Sequence, residues 1–102
     1  MGTAVKSSLR LSERDLERQA VDYLRLKGWC IMPKHSFPHG WPDITAFKDR
    51  RALLIELKLK GRGPSAKQFQ VHNNLGAANT RPYLCRSLED VVKVEAYEKD
   101  GR

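Results

Sequence analysis

Apolar positions recur along this chain at two spacings, and the switches between them outline its elements. After Ser12, the residues Leu16, Ala20 and Leu24 stand four apart with Val21 beside them, the apolar stripe of a helix. Ser12 suits the N-cap of that helix, Asp15 stands where it completes a capping-box-like pair, and Gly28 ends it. The run "WCIMPK" is short, apolar and β-prone and reads as a strand, whereas "HSFPHG" reads as a loop from its Pro, Gly and polar content. Two more strands follow, Asp43 to Lys48 and Arg51 to Leu59, joined by a turn at Asp49-Arg50. Beyond "GRGP", Ser65 caps a second helix, "AKQFQVHNNLGAA", with Gln68 in the capping-box position and Phe69, His72 and Leu75 sharing its inner face. "RPYLCR" gives a fourth strand, and Ser87 with Asp90 opens a last helix whose apolar residues are Leu88, Val91, Val92 and Val94. The order α-β-β-β-α-β-α predicts an α/β domain, a mixed four-stranded sheet flanked by helices. No repeat and no linker divides it, so residues 1–102 form one domain, with residues 1–10 and 97–102 expected to fray.

The charges in the middle of this pattern raise a question, because a charge inside an apolar strand costs stability unless it faces water or has a partner. Side chains alternate faces along a strand, so Leu53, Ile55, Leu57 and Leu59 point one way, and Leu54, Glu56, Lys58 and Lys60 the other. Folding the hairpin about Asp49-Arg50 pairs Lys48 with Arg51, Thr45 with Leu54 and Ile44 with Ile55, and brings Asp43 opposite Glu56. Two facing carboxylates repel. Lys58 offsets part of that, and a divalent cation offsets more, since hard cations choose carboxylate, carbonyl, water and phosphate oxygens. The set Asp43, Glu56 and Lys58 is therefore a candidate metal-hydrolysis site, with two acids holding an ion that polarises a phosphate and a lysine stabilising charge or positioning water. The bland alternative is a hairpin whose ends carry ordinary solvated charges.

Pro42-Asp43 followed by Glu56-Leu57-Lys58 matches the PD-(D/E)XK signature of the restriction-endonuclease-like nucleases. "GWPD" followed by "LLIELKLKGRGPSAKQFQVHNNLGAA" resembles the VRR-Nuc branch of that superfamily, and the likeness runs from about Leu11 to Val94. The resemblance implies a restriction-endonuclease-like αβββαβ core with a C-terminal helix, and a nuclease dependent on Mg²⁺ or Mn²⁺ with no small-molecule cofactor. It makes Asp43 and Glu56 metal ligands, joined by the Leu57 carbonyl, and Lys58 the catalytic lysine. It also brings Glu17 in from the first helix, directly or through water, and sets Gln68 at the site edge. Gln68 has a purely structural reading as well, as the capping-box partner of Ser65. His72, on the apolar helical face, suits a core or supporting role better than catalysis. Stand-alone VRR-Nuc proteins look like junction-resolving enzymes, which implies a homodimer cutting branched DNA such as a Holliday junction.

Composition adjusts this picture in three places. The formal net charge of +7 favours a polyanionic partner, nucleic acid above all. Lys34, His35, Lys58, Lys60, Arg62 and Lys67 surround the acids with positive charge suited to neighbouring phosphates, and "KGRGPS" lacks the Gly-Lys-Ser/Thr of a P-loop. Two cysteines, Cys30 and Cys85, are too few for a disulfide framework and read as buried reduced thiols, and His35 and His39 fit no standard zinc spacing. No apolar run reaches the about 20 residues of a membrane span, and the N-terminus lacks a signal peptide's apolar segment. The expectation is a soluble cytoplasmic protein of bacterial or viral origin. Three rivals to the junction nuclease stand beside it. One is a basic nucleic-acid-binding module without activity, in which the three charges are surface charges. Another is a nuclease acting on linear DNA in host defence, and the third is an interaction scaffold.

Overall fold

Ser12 caps the first helix as expected: its hydroxyl oxygen accepts the Asp15 N–H at 3.0 Å, and α1 runs over Glu13–Leu26 until Gly28 takes a φ of 96°. The computed structural model describes residues 11–59 and 61–99. Residues 1–10 and 100–102, for which fraying is expected, and Lys60 lie outside the described residues.

Strands β1 (Cys30–Met32), β2 (Ile44–Lys48), β3 (Arg51–Leu57) and β4 (Tyr83–Cys85) lie side by side in chain order. The first three pair antiparallel and β4 joins β3 in parallel, the crossover being α2 (Ala66–Ala77), after which α3 (Leu88–Lys99) closes the fold. The protein is thus an α/β domain with a mixed four-stranded sheet, in the predicted order and with the C-terminal helix. That helix continues to Lys99 with Glu98 buried, past residue 97 where fraying is expected.

One sheet face makes the core. Ile44, Ala46, Leu53, Ile55, Leu57 and Cys85 pack against Leu16, Ala20 and Leu24 of α1 and Val91 of α3, all buried. Each large aliphatic side chain so buried contributes about 1.5–3 kcal/mol. Trp29 closes one side, its indole N–H donating to the buried Glu95 carboxylate at 3.1 Å. The opposite face carries Thr45, Leu54 and Glu56, and α2 lies over it. None of α2's residues is fully buried, and Phe69, expected on its inner face, is 60 % exposed. The helix instead turns Gln68 and His72, four residues apart, toward Glu56, which rotates Phe69 outward.

The strand ends differ from the apolar pattern for local reasons. β1 stops at Met32, because Pro33 has no N–H to donate and Lys34–Ser36 form a single 3₁₀ turn. β3 stops at Leu57 although alternation continues to Leu59. There the Lys58 N–H still donates to Cys85 O at 3.1 Å, but the Leu59 N–H turns to a Glu13 carboxylate oxygen of α1 at 3.3 Å. Arg86 then braces the following turn, donating from Nη1 to the carbonyls of Leu59 (2.9 Å) and Arg62 (2.7 Å). Both cysteines are free, but only Cys85 is buried, with burial pushing its thiol up to about 12. Cys30 is exposed, contrary to expectation, because it sits opposite the exposed Phe47 on the sheet face away from the core.

The β2–β3 register is the predicted one, Ile44 with Ile55 through Lys48 with Arg51. Its turn places Asp49 (φ 50°) and Arg50 (φ 67°) both in the left-handed region, the geometry for which Asn-Gly is the preferred pair. Changing Asp49→Asn and Arg50→Gly together is expected to raise stability by about 1 kcal/mol, read as a higher urea midpoint at unchanged slope. An unchanged midpoint would mean that the turn carries no strain.

Candidate active site

The hairpin register brings the start of β2 to the end of β3, and the three residues singled out by charge meet there. Asp43 immediately precedes β2 and is fixed by the backbone: its Oδ2 accepts the Leu57 N–H at 2.8 Å. Leu57 turns its side chain into the core, so this residue offers the site only its main chain. Glu56, one residue earlier, points to the opposite face and is 0 % exposed. Lys58, also on that face, places Nζ 3.9 Å from Glu56 Oε2 with its side chain 16 % exposed.

Gln68 unites its two readings. Its Oε1 accepts the Ser65 N–H (2.9 Å) and its own N–H donates to Ser65 Oγ (3.2 Å), a complete capping box. Its amide nitrogen then donates to Glu56 Oε2 at 2.6 Å, so the cap of α2 also aims a donor into the site. His72 lies one helical turn on, with Nε2 3.5 Å from Glu56 Oε1. Burial pulls the imidazole below its usual range, with Asp43 opposing and Lys58 adding to the fall, which favours the neutral ring. Among the described residues, neither Glu56 Oε1 nor His72 Nε2 has a hydrogen-bond partner.

Lys34, predicted only as a phosphate holder, pairs directly with Asp43, Nζ to Oδ1 at 2.5 Å. Burial lowers its affinity for a proton, but the hydrogen bond and charge of Asp43, with Glu17 and Glu56 behind, more than reverse this and raise its pKa. No periodic signal announces this contact, which joins residues nine apart in sequence. Glu17 reaches from α1 into a cavity of about 510 Å³ that it shares with Glu13, Arg14, Lys34, Asp43 and Leu57. Burial, then the charge of Asp43, raises its carboxyl. His35 lines a second cavity, together with Lys34 and Lys58. Arg62 is 70 % exposed and stands 3.8 Å from Glu13, and Lys67 is exposed on the first turn of α2.

Glu56 carries the site's electrostatic tension. Burial first, then the charge of Asp43 and a hydrogen bond with it, push its pKa from 4.5 up to about 8, against the pull of Lys58 and Lys34. Among the described residues no group of three or more His, Cys, Asp or Glu side chains could by itself hold a metal. What the site offers a cation is a pair of carboxylates, one with a buried oxygen lacking a hydrogen-bond partner among the described residues, and the main chain of Leu57 beside them. These donors are all hard oxygens, which fits Mg²⁺ or Mn²⁺ with water and phosphate completing the shell, and does not fit zinc. His35 and His39 both line the second cavity and belong to no metal-holding cluster among the described residues.

No protein-family model matches the chain, and no curated protein matches it significantly. The fold and the site thus define an α/β domain with an acid pair and a lysine at the end of a central hairpin. The VRR-Nuc likeness rests on the motif residues themselves. Among the described residues no helix is long and apolar enough to cross a membrane.

Proposed function

We propose that this protein is a divalent-metal-dependent endonuclease that hydrolyses phosphodiester bonds in DNA, acting as a homodimer on branched substrates. One observation carries the reading: a fully buried glutamate, Glu56, lies beside a second carboxylate, Asp43, and keeps an oxygen without a hydrogen-bond partner among the described residues. Such a group weakens the fold, and a bound cation is the partner that would reverse the penalty.

Asp43 and Glu56 would hold the ion, with the Leu57 carbonyl beside them and Glu17 reaching in from α1 through water. When bound, it would supply Lewis-acid polarisation of the phosphate and activation of water. The remaining work falls to the chain's own groups. The Leu57 N–H and the Lys34 ammonium orient Asp43, each on one of its oxygens. Gln68 orients Glu56 through Oε2. Lys58 aims its amine at the same patch, where it would counter the negative charge that builds on the phosphoryl oxygens as water adds and the leaving oxygen departs with a proton. The main-chain bonds of Lys58 and Leu59 and the Arg86 brace hold that lysine's segment in place. The net charge of +7 supports a polyanionic substrate. A non-catalytic binding module accounts for the charge but leaves the burial of Glu56 beside Asp43 without a purpose.

The test is incubation of the purified protein with labelled four-way and linear DNA. Cleavage is expected with Mg²⁺ or Mn²⁺, fastest on the branched substrate, and none in EDTA, where binding persists. Gel filtration of the same sample is expected to give twice the monomer mass. Binding without cleavage at any metal concentration would return the chain to the non-catalytic class.

A further inference from the structure

The second cavity, about 510 Å³, shares Lys34 with the one that Glu17 lines, and neither Asp43 nor Glu56 lines it. Phe37 and Trp41 form one of them, stacked face to face with ring centroids 4.9 Å apart and planes 5° from parallel. Both rings are half-buried rather than enclosed. Lys34, His35, His39 and Lys58 supply the basic groups around them, and among the described residues no carboxylate lines the cavity.

The loop carrying this pair is held from three sides. The Trp41 indole N–H donates to Thr45 Oγ1 of β2 at 2.8 Å, and the Trp41 backbone N–H donates to Pro38 O at 3.1 Å. The Phe37 N–H donates to Lys34 O at 3.0 Å, tying the ring to the 3₁₀ turn that carries the Asp43 counter-ion. Gly40 lies against α2 at a φ of 90°, where an added Cβ would come within 2.7 Å of Lys67 Cγ and 3.0 Å of its carbonyl oxygen. A glycine is required there by the backbone angle and by the close approach together. The result is an aromatic surface fixed in place beside the cluster that would hold the scissile phosphate.

We infer that the Phe37–Trp41 stack is a platform for one unpaired nucleobase next to the cleaved phosphodiester bond. This deepens the nuclease reading and rests on it for the identity of the ligand as DNA. Aromatic side chains stack on bases irrespective of sequence, and flanking cations hold the adjoining phosphates. A base inside a duplex has both faces covered by its neighbours and cannot reach such a surface without leaving the stack. The platform therefore selects DNA in which a nucleotide is already unpaired, at a branch point, a flap or a gap.

The experiment uses the full chain and a duplex with one unpaired 2-aminopurine. In EDTA, binding is expected to quench the probe with the wild-type protein and with Phe37→Tyr, but not with Phe37→Leu, which keeps apolar bulk without a π face. Replacing the unpaired nucleotide by an abasic residue is expected to weaken wild-type binding by about tenfold, within the range of one stacked base. This second arm needs no variant to fold. Equal affinity for the abasic and intact strands, or undiminished quenching with folded Phe37→Leu, overturns the platform. With Mg²⁺ added, quenching without any strand cleavage would refute the nuclease reading and leave the platform standing. Cleavage with no preference between the unpaired and fully paired substrates would do the reverse.

Discussion

Lys58→Ala is expected to slow single-turnover DNA cleavage by about 10²–10³-fold, the loss typical of removing one preorganised charge aimed at a developing negative charge. Binding should stay within a few-fold of wild type, because one phosphate contact of several is lost. The geometry says why this lysine differs from the basic residues around it. Its side chain is 16 % exposed and its amine stands 3.9 Å from Glu56, so its position is set by the fold. Arg62, by contrast, is 70 % exposed and only 3.8 Å from a partly exposed Glu13 carboxylate, and Arg62→Ala should change affinity and its salt dependence rather than the rate of the bound complex. Lys58→Arg is not expected to rescue, since the planar guanidinium presents its donors farther from the main chain and in a fixed fork. A Lys58→Ala protein cleaving at the wild-type rate would remove this residue from the chemistry.

That contrast could be anticipated only in part from the chain itself. Alternation along Arg51–Leu59 assigns Glu56 and Lys58 to one face, and the hairpin centre sets the register from Lys48 with Arg51 to Ile44 with Ile55 that brings Asp43 to the end of β3, because a strand's period of two leaves little freedom once the turn is placed. The α/β order was legible for a similar reason: each helix begins at a Ser whose side chain meets a backbone N–H three residues on. Contacts made across loops were not legible. Lys34 reaches Asp43 through a 3₁₀ turn, and Phe37 meets Trp41 within the same loop, and neither spacing has a period to follow. The face of α2 is not legible, because Phe69, His72 and Leu75 form an apolar-looking row while the helix is oriented by Gln68, whose one amide serves both the cap and Glu56. The exposure of Cys30 is hidden for a related reason: apolar neighbours do not reveal which face of an edge strand is covered.

Glu56→Gln is expected to make the metal-free protein more stable at alkaline pH while abolishing cleavage. The sign follows from the direction of the shift. In the folded protein the Glu56 carboxyl titrates near 8 instead of 4.5, through burial first and Asp43 second, so the folded state binds its proton more tightly than the unfolded state does. The stability from this group is complete below about pH 4.5 and is lost as the pH rises through about 8. Wild-type protein in EDTA should therefore be more stable at pH 5 than at pH 8.5, and the glutamine variant should have a flatter profile. At pH 8.5 the substitution removes a buried charge and keeps an oxygen to accept from Gln68, and its new amide N–H₂ can donate to His72 Nε2, 3.5 Å from the orphaned oxygen it replaces. A gain of about 1–3 kcal/mol is expected, since an uncompensated buried charge costs at least that much. For a domain of this size that is about 4–8 °C in Tm per kcal/mol. Mg²⁺ should raise the Tm of the wild type at pH 8.5 and leave the variant unmoved, because only a carboxylate pair gains by holding the ion. A variant less stable than wild type at pH 8.5 in EDTA would mean that Glu56 is already satisfied by the protein, and the case for a cation at that oxygen would fall with it.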